Sequence, residues 1–164
     1  GPLMSLSGQV VGVVNSKQGD NIAFGISAAL AERVVPELIE SGEYEHAYMG
    51  VTLENVTPAI ARANDMSDPR GLLIVRAVRG GPADGVLQPS DIEFVNGSRL
   101  PVGGDVILSV DGVEMTSFED LASYLALQTR PGDTIQVRIL RDGSEQTVEM
   151  KLIARPERSR SPLQ

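Results

Sequence analysis

Hydrophobic positions along the chain fall into short runs broken by polar turns. Residues 8–15 hold four valines with no helical period, which predicts a buried strand. Residues 16–20 are polar with a glycine and read as a turn, and 21–26 as a second short strand. Ser27 then stands where a helix N-cap belongs. Leu30, Val34 and Leu38, flanked by Val35 and Ile39, share one helical face, and Gly42 closes the pattern. Pro36 lies inside that helix and predicts a kink or an early stop. A polar linker at 43–47 marks a boundary, giving units of 1–46 and 47–154 and a mobile tail at 155–164.

Beyond the linker the texture is β-rich. Tyr48-Met49-Gly50-Val51-Thr52-Leu53 reads as a strand, 58–64 as a short helix opened by proline, and 72–78 as a strand. Gly80-Gly81-Pro82-Ala83 reads as a turn entering a short helical stretch, and 88–103 as a loop with a small hairpin at Asn96-Gly97. Residues 105–110 predict a strand ended by Asp111-Gly112, and Thr116 or Ser117 caps a helix to about Gln128. Two further strands, 134–140 and 146–153, flank a hairpin turn at Arg141-Asp142-Gly143-Ser144. Five or six strands that do not alternate regularly with helices exclude a parallel βαβ fold. The expected class is mainly β with short helices, as a partly open antiparallel barrel.

Composition removes most chemistries. The 164 residues include 22 acidic and 14 basic side chains, a net charge of −8, so a nucleic-acid backbone is a poor partner. There is no cysteine and one histidine, so no disulfide, thiolate site, metal site or cofactor is expected. No apolar run is long enough for a membrane span. A Ser-His-Asp triad needs a rigidly held histidine, whereas His46 lies in the polar linker. The carboxylates Glu119-Asp120, Asp105 with Asp111, and Asp142 with Glu145 read as caps and turns rather than acid–base pairs.

What remains is a binding surface. Gly50 lets a backbone approach closely, and free amides beside it can hold an anion. If that strand is a sheet edge, an extended peptide can add to it. On the helix beyond Ser117, Phe118, Ala122 and Leu125 share one face, which either joins the core or lines a groove, while Leu121 is expected in the core.

Several segments carry a resemblance. Gly103-Gly104-Asp105-Val106-Ile107-Leu108-Ser109-Val110-Asp111-Gly112 resembles the GDVIL-x-V-D-G signature of bacterial-type PDZ domains, and Phe118-Glu119-Asp120-Leu121, Arg130-Pro131-Gly132-Asp133 and Leu140-Arg141-Asp142-Gly143 follow in the family's order. Tyr48-Met49-Gly50-Val51 resembles the carboxylate-binding loop of HtrA/DegP-type serine proteases. Upstream, Gly1-Pro2-Leu3 resembles the stretch after the catalytic serine of those proteases. The run Asn21-Ile22-Ala23-Phe24-Gly25-Ile26-Ser27 resembles the strand beside their substrate pocket, and the helix around Pro36 resembles the one leading into PDZ.

The resemblance implies a remnant of a trypsin-like barrel over 1–46 and a PDZ domain over 47–154. It implies that the catalytic triad is absent and that this chain does not cleave peptide bonds, although the parent is a serine endopeptidase of protein quality control. Tyr48, Met49, Gly50 and Val51 would hold a peptide's terminal carboxylate, 51–53 (Val51, Thr52, Leu53) would pair with the incoming strand, and Phe118, Ala122 and Leu125 would line the side-chain pocket. Many PDZ domains have histidine where Phe118 stands, so a hydrophobic ligand residue is expected there. The insertion at 88–103, with Phe94, Val95 and Asn96-Gly97, departs from the family and is expected to form a hairpin flap, so the family's groove shape does not transfer simply. The implied partners are peptides or unfolded proteins with apolar C-termini, and the implied parent is extracytoplasmic or membrane-tethered. The alternative is a regulatory or oligomerisation domain with a self-occupied groove, self-associating through the apolar strands at 8–26.

Overall fold

The computed structural model describes residues 1–18, 22–95 and 97–156. The chain forms two compact units, Gly1–Glu45 and His46–Gln164.

In the first unit, β1 (Pro2–Met4), β2 (Val10–Gln18) and β3 (Ile22–Ser27) form an antiparallel sheet in the order β1-β2-β3. Two expectations change here. Pro2–Met4 is a strand that its three residues alone do not announce, because its partner at Val10–Val13 defines it. Residues 16–18, expected in a turn, belong to β2, which runs to Gln18; residues 19–21, on which the rest of that expectation falls, lie outside the described residues. Helix α1 (Ala28–Ser41) begins where Ser27 accepts a hydrogen bond from the Leu30 N–H at 3.3 Å. It ends at Gly42 in the left-handed conformation. Pro36 does not stop it: one interior bond is lost, and the helix continues to Ser41.

The second unit is built on an antiparallel sheet ordered β12-β11-β9-β6-β5. Its strands are β5 (Val51–Asn55), β6 (Leu72–Ala77), β9 (Val106–Val110), β11 (Thr134–Arg141) and β12 (Ser144–Lys151). A short β10 (Val113–Glu114) pairs with β9. Two smaller sheets join β4 (Ala47–Tyr48) to β13 (Ile153–Ala154), and β7 (Asp91–Val95) to β8 (Ser98–Val102). The helices are α2 (Pro58–Ala63) and α3 (Phe118–Gln128). The sheets stay open rather than closing into a barrel, and the unit is mainly β with short helices as expected.

The sheet core explains the unbroken apolar runs. On β6, Leu72 and Ile74 enter one cluster with Ile107, Val137 and Ile139, while Leu73 enters a second with Val56, Ile60 and Val106. Both faces of β6 and β9 are therefore covered, so the usual polar alternation is absent. Asp111-Gly112 and Asp142-Gly143 take positive φ at both positions, the two-residue turns that close β9–β10 and β11–β12.

Other differences have local causes. The strand expected over 48–53 is split at Met49-Gly50, because Gly50 has φ of 75° and cannot continue a strand. The stretch after Pro82 is a set of turns, with Leu87 N–H bonding to the Ala83 carbonyl at 3.0 Å, and never becomes a regular helix. There are more strands than expected, since short pieces such as β4, β10 and β13 are made by pairing rather than by pattern. The 88–103 insertion does form a hairpin, β7–β8; Asn96 at its tip lies outside the described residues.

Asp105 does not begin a strand or cap a turn. Fully buried, it takes two hydrogen bonds from the Arg141 guanidinium, at 2.8 and 2.7 Å, and one from the Gln88 N–H at 2.8 Å. The pair welds the 86–88 turn to β11, and the carboxylate in turn pushes the Arg141 pKa above its ordinary value. The neighbouring Gly104 is required sterically. It has φ of 77°, and a Cβ there would lie 2.5 Å from the Ser90 nitrogen.

Candidate functional site

Strand β5 ends the sheet. It pairs with β6 on one side only, so its other edge presents unpaired backbone groups. Helix α3 stands across from that edge. Ser117 caps it in a capping box, accepting from the Asp120 N–H while the Asp120 carboxylate accepts from the Ser117 N–H at 2.9 Å and from both the N–H and hydroxyl of Thr116. Those bonds hold the Asp120 pKa below its ordinary value, the Thr116 hydroxyl contributing most. The Phe118 N–H donates to Asn55 Oδ1 at 3.0 Å, tying the start of α3 to the end of β5. The two elements are thereby joined at one end, and a cavity of about 240 Å³ lies between them.

Apolar side chains form the walls that β5 and α3 give this cavity. Val51 and Leu53 come from β5, and Phe118, Ala122 and Leu125 from α3, with Leu121 beneath them at 2% exposure. Phe118 is 53% exposed, so the wall it builds is open to an occupant.

At the other end lies the Met49-Gly50 loop. The Met49 carbonyl accepts from the Ala83 N–H at 3.1 Å and the Gly50 carbonyl from the Val78 N–H at 2.7 Å. A trans peptide plane points its N–H opposite to its carbonyl, and the chain has no cis bond among its described residues. The Gly50 and Val51 amides are thus aimed away from the 78–83 turn that holds those carbonyls. Gly50 makes this possible through its positive φ. A Cβ there would meet Pro82 only at ordinary contact distance, 3.4 Å, so it is the backbone conformation that calls for glycine.

A family model described as PDZ domain matches residues 47–152. The chain belongs to the PDZ-domain family. Its PDZ domain and the unit before it are together similar to DegP-like periplasmic serine endoproteases. One from Bartonella henselae is 33% identical across 96% of this chain, and one from Rhizobium meliloti 32% identical across 99%. The chain spans only 29% and 30% of their lengths. Among solved structures, the HtrA-type protease AlgW with a decapeptide matches 93% of this chain and 44% of its own, with a TM-score of 0.69 and 26% identity. AlgW with a tripeptide matches 97% and 50%, with a TM-score of 0.68 and 26% identity. The resemblance read from the motifs therefore extends over nearly the whole chain.

The residues singled out for binding gather around the PDZ groove in unequal ways. Tyr48, Met49, Gly50, Val51, Leu53, Phe118, Ala122 and Leu125 all line it. The Met49 side chain, however, is only 2% exposed and belongs to the core, leaving its backbone for the groove. Thr52 does not line the cavity, because alternate side chains of a strand face opposite ways. Leu121 is core, as expected, and also forms the groove floor. The β7–β8 hairpin contributes no lining residue. It packs by α2, and none of its described residues reaches the cavity.

The sequence reading missed His46, Ala126 and Arg155. Ala126 carried a signal, four residues beyond Ala122 on the same face. Arg155 carried none. It was assigned to a mobile tail, yet its N–H donates to the His46 carbonyl at 2.9 Å and its guanidinium carbon sits 5.7 Å from the Tyr48 ring centroid. The remainder of that tail, 157–164, lies outside the described residues.

Asp111 and Glu145, from the paired carboxylates, have structural partners. Asp111 accepts from the Tyr124 hydroxyl at 2.8 Å and the Gln136 N–H at 2.7 Å. Burial, helped by that carboxylate, pushes the Tyr124 pKa up to about 12. Glu145 meets Arg70 at 3.1 Å and Arg138 at 2.8 Å.

Proposed function

We propose that this chain binds the C-terminal end of extended, apolar peptides or unfolded proteins in the groove between β5 and α3. The observation that carries this is the unpaired edge of β5 facing the apolar side of α3. A strand added there completes hydrogen bonds the sheet leaves open, and its alternate side chains meet Phe118, Ala122 and Leu125. The terminal carboxylate rests on the Met49–Val51 loop, whose amides at 50 and 51 turn away from their own sheet. With Phe118 in the side-chain pocket, the ligand residue two from its end is hydrophobic.

The test is a titration with fluorescent peptides that differ only at that ligand position, isoleucine against threonine. The chain should favour isoleucine, and Phe118→His should shift preference toward threonine. An unchanged preference would sink the assignment of Phe118.

Similarity to DegP-like periplasmic serine endoproteases and to the HtrA-type protease AlgW supports a wider reading, in which the peptide-binding unit serves an HtrA-type serine endopeptidase outside the cytoplasm. The division into a protease-barrel remnant over 1–46 and a PDZ domain over 47–154 belongs to the same reading. In it the residues of this chain bind and do not cleave, so turnover in a casein assay would overturn it.

A second reading rests on the first unit. Val10, Val11, Val13, Phe24 and Ile26 are 38–52% exposed, which favours self-association through 8–26. A monomeric mass by light scattering across the micromolar range would remove it.

A further inference from the structure

The end of the groove that holds the Met49-Gly50 loop also holds a charge. Strand β13 pairs with β4, Ile153 opposite Tyr48 and Ala154 opposite Ala47. The next residue, Arg155, is therefore delivered to the same place on every molecule, its N–H fixed on the His46 carbonyl. Its guanidinium lies over the Tyr48 ring, a cation–π contact that confines an otherwise long and mobile side chain. It lines the same cavity as Gly50 and Val51. Among the described residues lining that cavity none is acidic, and Arg155 is the one side chain that is always charged. In a chain of net charge −8, a positive charge thus stands in the cavity that Gly50 and Val51 also line. Residue 155 also lies beyond the segment 47–152 that the family model matches, so this element is not part of the matched pattern.

We propose that Arg155 is a specificity-determining residue that recognises the negative charge of a peptide's free C-terminus. The inference rests on the peptide-groove reading and adds to it the ionic half of carboxylate recognition. The amides of Gly50 and Val51 supply directional hydrogen bonds, and the guanidinium supplies charge and a planar fork suited to two oxygens. Tyr48 acts as the platform that keeps the fork in place. Neither half needs a proton transfer, so recognition depends on ligand charge and on salt.

The test compares an apolar-ended fluorescent peptide as free acid and as C-terminal amide, at about 50 and 200 mM salt. The full chain, Arg155→Gln and Arg155→Lys are titrated, with thermal melts to check folding. The wild type should prefer the acid and lose that preference partly at the higher salt. Arg155→Gln should bind the acid about tenfold more weakly, a difference of about 1.4 kcal/mol, leave amide binding unchanged and lose the salt dependence. Arg155→Lys should fall between, keeping the charge but not the fork. If the wild type discriminates and Arg155→Gln discriminates equally, the role of Arg155 is overturned while the groove reading stands. If the variant binds both peptides more tightly, Arg155 blocks the groove and the proposal is likewise overturned. If the wild type binds neither peptide, the groove reading fails and takes this inference with it.

Discussion

The two units of this chain use the same local vocabulary to different ends. Each has antiparallel strands rich in valine and isoleucine, and each has an amphipathic helix capped by serine. In His46–Gln164 the apolar side chains converge, and Leu72, Leu73, Ile74, Ile107 and Ile139 are wholly shielded from water. In Gly1–Glu45 they do not. Val10, Val11, Phe24 and Leu38 are 45–52% exposed and Ile39 is 80% exposed, while α1 buries no residue at all. A hydrophobic period therefore states that an element has an apolar face. It does not state that the face has a partner within the chain.

That contrast gives measurable consequences. The largest separates two isoleucines. Ile139→Ala removes a fully buried side chain from the second unit and should cost about 2–5 kcal/mol in denaturant unfolding. Ile39→Ala on the exposed face of α1 should stay within about 0.5 kcal/mol. Equal costs would mean that the first unit carries a core of its own strength, and the comparison would break.

A smaller effect separates the two helix caps. Ser117→Ala dismantles a reciprocal capping box and should cost about 1–2 kcal/mol. Ser27→Ala removes a single bond of 3.3 Å at an exposed helix start and should cost about 0.5–1 kcal/mol. Reversal of that order would show that the box adds nothing beyond the serine.

The smallest effect is a pH dependence. Hydrogen bonds from Thr116, then Ser117, hold the Asp120 carboxyl below its ordinary value of 3.8 in the folded state. A depressed folded pKa contributes stability that is present above the unfolded value and lost as pH falls through the folded one. Wild type should therefore melt above Asp120→Asn at neutral pH, and the gap should close below about pH 3.8. A gap of constant size down to pH 2 would assign the difference to packing rather than charge.

Elements whose cause is local were legible along the chain. Ser27 and Ser117 start helices because a short hydroxyl side chain can satisfy a free helix N–H. Asp111-Gly112 and Asp142-Gly143 make hairpin turns because glycine and aspartate tolerate positive φ. Phe118, Ala122 and Leu125 share a face because a helix turns every 3.6 residues. The motif over 103–112 carried the family.

The remaining features took shape only on folding, because each depends on a partner far away in the chain. Pro2–Met4, β10 and β13 are strands by virtue of a partner and not of a pattern. Asp105, weighed beside Asp111 as one carboxylate among several, became half of a buried ion pair once Arg141 was brought to it across 36 residues. The edge of β5 became a groove because α3 stands opposite it. Arg155 reached that groove because β13 returns to pair with β4, a meeting that no spacing along the chain announces.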